Sequence, residues 1–147
     1  MTFTVNSISQ TTGSFDSYGL NYSNGSLKIA LASDSNAKGY DNKRFASTFS
    51  LDALDIDVGV LYQTTKKLST GISENGHVIS VKKNVFEKGS IYYQTSSSDI
   101  KLESGEQNSF GYTHKISKVS KVFVHASNLE SDTKNVDYVS VGFEYKF

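Results

Sequence analysis

The chain has 147 residues with 15 Lys+Arg against 15 Asp+Glu and a formal net charge of zero, so no bulk field directs it to nucleic acid or to an anionic membrane surface. A hydrophobic content of 37%, without any run of about 18 apolar residues, excludes a helical membrane protein. The absence of Cys excludes disulfides, thiolate nucleophiles and cysteine-bound zinc, and no basic segment followed by an apolar one opens the chain, which reads as one domain over 1–147, mature or truncated at its start.

Helical spacing of apolar residues fails almost everywhere, whereas alternation with period two succeeds in one segment after another. In chain order the expected strands start at Phe3-Thr4-Val5 and continue through Tyr18, Leu20 and Tyr22, then Leu27, Ile29 and Leu31, then Phe45, Phe49 and Leu51. The segment 54–63 alternates cleanly, with Leu54, Ile56, Val58, Val60 and Tyr62 opposed to Asp55, Asp57, Gly59, Leu61 and Gln63. Strands near 77–83 and 89–95 alternate less well, because Val78 and Ile79, and Tyr92 and Tyr93, are neighbours and cannot share a face. Phe110, Tyr112 and Ile116, then Val122, Val124 and Ala126, supply two more. The run to Phe147 is the clearest, with Val139, Val141, Phe143, Tyr145 and Phe147 on one face. The total is about ten strands in an all-β chain.

The connections carry further information. Tight turns are expected at Asn24-Gly25, at Asp52-Ala53, over 84–88 and over 117–120. Long polar loops are expected at 9–14, 34–42, 64–76, 96–108 and 129–136. Short turns at one end of an antiparallel meander and long loops at the other are the layout of outer-membrane barrels. The chain also contains no Pro, which suits uninterrupted ladders.

Alternation alone does not separate a lipid-facing wall from the inner side of a soluble sandwich. Two features favour the membrane. Tyr22, Phe45, Tyr62, Phe143, Tyr145 and Phe147 lie toward strand ends, where interfacial aromatic girdles stand. The polar face is built from small residues, Gly19, Ala30, Ala46, Thr48, Gly59, Gly111 and Gly142, with interspersed charges, and such a face lines water better than it fills a core. Closure of the sheet would also remove two exposed edges.

The stretch 108–147 resembles the last three strands of Gram-negative general porins. It has an aromatic-alternating strand, a turn on Ile116-Ser117-Lys118, a strand carrying Val122-Phe123-Val124, a polar loop and a closing strand that ends in Phe. Val141, Phe143, Tyr145 and Phe147 resemble the C-terminal signal read by the outer-membrane barrel insertion machinery. Upstream only the hairpin rhythm continues. Family porins are longer, commonly with sixteen strands, and neither their opening strands nor their inward-folded third loop is identifiable here. The resemblance implies an antiparallel up-and-down transmembrane β-barrel, either the C-terminal part of a porin or a shortened relative. It further implies a bacterial outer-membrane location, contact with outer-membrane lipid, a homotrimer, and passage of small hydrophilic solutes and ions, with no cofactor and no enzymatic activity.

For such a channel the informative residues are the charges along the water-filled lumen. Lys28, Arg44 and Lys146 are expected to face Asp55, Asp57 and Glu144 across or along it. Taken singly, each is more simply a solvated inward charge; as a set they suggest a transverse field. His77, His114 and His125 fall at different heights, so a hydrolytic centre, for instance His77 with Asp99 or Glu103, is disfavoured, and no pair of His has metal-ligand spacing. The alternatives are a small closed barrel with a structural or adhesive role and, behind it, a soluble β-sandwich binding module.

Overall fold

The computed structural model describes the backbone of residues 2–10, 15–99 and 105–146, and the side chains of 16–99 and 105–146. Ten strands follow one another: β1 (Thr2–Gln10), β2 (Phe15–Asn24), β3 (Leu27–Ala37), β4 (Tyr40–Leu51), β5 (Ile56–Lys67), β6 (Ser73–Val85), β7 (Gly89–Ser98), β8 (Gly105–Lys115), β9 (Ser120–Ser131) and β10 (Asn135–Tyr145). They form one sheet in sequence order, each strand antiparallel to the next. Among the described residues no ladder returns from β10 to β1, so the expected barrel wall is present as an open sheet. All ten strands share that sheet, which removes the sandwich alternative, since a sandwich needs two.

The strands have 9 to 13 residues, the length that crosses a bilayer when tilted. They are longer than the apolar pattern implies. The expected loop at 34–42 is instead strand on both sides of a Lys38-Gly39 turn, with a register irregularity between Asp34 and Ala37. Asn36, Lys38 and Gly39 take up the reversal at positive φ. The expected loop 64–76 contracts to 68–72, and 129–136 contracts to 132–134. A backbone ladder is indifferent to side-chain polarity, so Ser, Thr and Asn continue it beyond the apolar stretch. The contrast between short and long connections is correspondingly weaker than expected.

At the opposite end the turns are Gly25-Ser26, with Gly25 at φ 49°, then 52–55, 86–88 and 116–119. Asp52–Leu54 form a single 3-10 turn and Asp55 follows it in the left-handed region, at φ 55° and ψ 38°. This corrects the expected strand 54–63, which starts instead at Ile56. Asp is among the few residues that accept this conformation, because its short polar side chain bonds locally.

Following register partners separates the two faces. The row Asn24, Leu27, Phe49, Val58, Val81, Tyr93, Phe110, Ala126 and Val139 is almost wholly apolar. The next row but one on this face, toward the long-loop end, begins with Leu20, Leu31, Phe45 and Tyr62 but continues polar as His77, Ser97, Glu106 and Glu130. On the short-turn side the apolar side chains gain ground late, at Tyr112, Val124 and Val141 and then Val122 and Phe143. The apolar band therefore runs obliquely to the hydrogen-bond direction, as it does where tilted strands cross a flat layer of hydrocarbon.

No apolar side chain is buried among the described residues, whereas Val139 and Val141 are 72% and 79% exposed. The fold thus has no dry interior of its own. Its exposed apolar face is a surface that water solvates poorly. Tyr62 and Tyr93 sit at the edge of the band and donate their hydroxyls to Asn75 Oδ1 (2.9 Å) and Asn108 Oδ1 (2.8 Å) in the polar rows beyond. That is the amphipathic placement of tyrosines at a membrane interface.

Candidate functional site

The opposite face is concave. One cavity of about 590 Å³ is bordered by Leu61 in β5, Val78 in β6, Ser96 in β7, Gln107 in β8 and Leu129 in β9, so the sheet curls toward this side across five successive strands. Elsewhere on this face small residues predominate, as in the register runs Gly19 to Ala32 and Ala30 to Ala46, and Thr48 to Gly59 to Ser80. From β2 to β6 these small side chains leave space for water, whereas Tyr92, Phe123 and Tyr138 fill more of the face from β7 to β10.

From β7 to β10 the same face carries a linked polar set. Tyr92 Oη lies 2.6 Å from His125 Nδ1, His125 Nε2 lies 2.6 Å from Ser127 Oγ, and Ser127 Oγ lies 2.7 Å from Ser109 Oγ. Gln107 Nε2 donates to Ser109 Oγ (3.3 Å) and to Tyr138 Oη (2.7 Å). Ser109 and Ser127 are only 3% and 6% exposed, because the rings above them exclude water. Their hydroxyls are therefore committed to this network. Period-two reasoning left Tyr92 unplaced; the signal was its register partner Gly111, whose missing side chain makes room for the ring. Phe123 covers Gly142 in the same way.

The expected lumen charges divide. Lys28, Arg44, Asp57 and Glu144 lie on this face within strands. Lys146 follows β10 and donates its backbone N–H to Val119 O at 2.8 Å. Asp55 belongs to the turn before β5 rather than to the strand, although it still borders a cavity on this face together with Lys82.

The pairing also differs from the expected opposition. Asp57 pairs with Lys82 (3.5 Å) and accepts from Ser50 Oγ (2.6 Å), and Glu144 pairs with Lys121 at 2.7 Å. Lys82 and Lys121 were missed from sequence, yet each is the direct register partner of its carboxylate. Arg44 donates through Nε (3.0 Å) and Nη2 (2.6 Å) to Gln63 Oε1, and a chain runs on through Thr65 to Asn42. Arg44 is thus held toward the long-loop end, away from Asp57. Lys28 has no carboxylate within ion-pair distance among the described residues.

The histidines do not converge. His77 and His114 project from the apolar face, and His125 from the other. Asp99 binds the Asn75 backbone N–H through its carboxylate, while Glu103 lies outside the described residues, as does Phe147 of the C-terminal motif. Val141, Phe143 and Tyr145 share the apolar face of β10, as their alternation implies.

No protein-family model matches the chain, and no curated protein matches its sequence. Its fold is that of a porin wall: the chain is similar to an anion-selective porin from Comamonas acidovorans, with a TM-score of 0.72 and 18% identity over 95% of this chain and 51% of the other. The chain therefore spans about half the length of that porin.

Proposed function

We propose that the chain forms the wall of a passive, water-filled channel for small hydrophilic solutes and ions in the bacterial outer membrane. The observation that carries this reading is a single ten-stranded sheet with apolar side chains exposed on one face and, on the other, a polar face that holds a hollow and is built mostly of small residues from β2 to β6. The likeness in fold to a porin supports it. Diffusion needs no bond chemistry, so the reading includes no enzymatic step and no cofactor.

The selective elements are the inward charges Lys28, Arg44, Asp57 and Glu144 with their partners Lys82 and Lys121, and Asp55 and Lys146 at the short-turn mouth. Outer-membrane lipid is the solvent of the apolar face. Insertion by the barrel machinery through Val141, Phe143, Tyr145 and Phe147, and assembly as a homotrimer, belong to the same proposal and rest on the porin-like C-terminal pattern. A filled barrel with a structural or adhesive role is less well supported, because it would need large interlocking side chains where Gly59, Ala30 and Ala46 stand.

The test is refolding of the urea-denatured chain into lipid, followed by gel mobility with and without boiling and by planar-bilayer recording. Stepwise conductance together with a heat-dependent shift supports a channel formed by these strands. A heat-stable folded species that never conducts overturns it in favour of the filled barrel.

A further inference from the structure

At the short-turn end of the polar face one cavity concentrates positive charge, while the cavity beside it sets Lys88, Lys115 and Lys121 with Asp55 and Glu87. Lys115 and Lys121 are direct register partners across β8 and β9, a like-charge arrangement that destabilises a sheet unless something of opposite sign is supplied. The turn between β6 and β7 is drawn alongside, since Lys115 N donates to Lys88 O at 2.7 Å. Lys118 stands in the next turn, itself held by Ser117 and Ser120, whose hydroxyls lie 2.7 Å apart.

Lys88, Lys115, Lys118, Lys121 and Lys146 border one cavity of about 600 Å³, into which Glu144 brings the sole carboxylate among its described lining residues. That carboxylate already pairs with Lys121. Among the described residues no carboxylate lies within ion-pair distance of Lys88, Lys115 or Lys118. On a chain of zero formal net charge this excess is local and cannot be ascribed to overall basicity.

We propose that this mouth is a binding site for phosphate-bearing anions. Ammonium groups are compact, strongly hydrated donors with three N–H each, and several around one cavity suit a multiply charged phosphate whose oxygens accept from more than one at once. A phosphate seated there offsets the Lys115 to Lys121 repulsion, which carboxylates of this chain do only in part. The inference rests on the fold and not on the channel reading, so it is tested by binding, independently of conductance.

The experiment is calorimetric titration of tripolyphosphate into the refolded chain in zwitterionic micelles at low salt, with gel heat-modifiability as the folding check on every variant. Saturable binding is expected, weakened at least tenfold in Lys115→Gln/Lys118→Gln and measurably in Lys118→Gln alone, whose side chain is exposed in a turn. The long-loop control Lys43→Gln/Lys67→Gln should bind within twofold of the parent. Added phosphatidylglycerol distinguishes the source: displacement of tripolyphosphate assigns the site to a lipid headgroup, and retention assigns it to a soluble phosphate, both of which uphold the lysine site. Absence of saturable binding to the folded parent, or an equal loss in the long-loop control, overturns the proposal.

Discussion

The ring of Tyr92 lies across Gly111, its register partner on β8, and from there its hydroxyl reaches His125 on β9. A Cβ at Gly111 would stand inside that ring. Gly111→Ala is therefore expected to displace Tyr92 and break its bond to His125, lowering stability by about 1–3 kcal/mol. Urea unfolding of the refolded chain in micelles measures this, and an unchanged midpoint would show that the ring does not depend on the glycine.

Ser127 stands at the centre of the polar network, between His125 Nε2 and Ser109 Oγ. Ser127→Ala leaves both partners short of a bond beneath the covering rings, so a loss of about 1–3 kcal/mol is expected. Ser140→Ala, at an exposed position of β10, should change stability by no more than about 0.5 kcal/mol. Parallel denaturation of the two variants tests the contrast.

Val141 and Ser140 are adjacent but face opposite sides of β10. If the apolar face meets hydrocarbon, Val141→Lys costs about 2–4 kcal/mol near the bilayer midplane and reduces the folded yield in lipid vesicles. Ser140→Lys, on the wet side, should fold with nearly the parent yield. Equal yields for the two would remove the lipid from the apolar face.

The Lys121 to Glu144 pair is solvent-exposed on both sides, so water and salt screen it and it adds little to stability. On the channel reading its larger effect is on permeating ions. Glu144→Gln should leave the unfolding midpoint almost unchanged while moving the bilayer reversal potential under a salt gradient toward anion preference. A shift toward cations would contradict the placement of Glu144 on the permeation path.

Strand existence was legible in the sequence because one face is apolar and the backbone alternates strictly. Strand ends were not, since the largely polar stretches 34–37, 64–67 and 129–131 extend the strands with little apolar alternation to mark them. The adjacent pairs Val78-Ile79 and Tyr92-Tyr93 obscured the pattern for a related reason. Ile79 and Tyr93 belong to the apolar face, and Val78 and Tyr92 occupy the wet one, where Tyr92 fills the space over a glycine of the next strand. Charges could be assigned to a face but not to partners, because Lys82 opposite Asp57 and Lys121 opposite Glu144 follow from register, which depends on turn lengths. The 52–55 turn shifted Asp55 out of the strand by the same dependence.

The oblique apolar band has a consequence for how these strands join others. From β2 to β10 the apolar stretch shifts by degrees toward the short-turn end, like the thread of a screw. If that face meets lipid, any segment that extends the wall must advance by the same pitch, or its apolar residues will fall outside the band. The strands β2 to β10 thus carry, in the stagger of their side chains, a template for the direction in which a continued wall would wind.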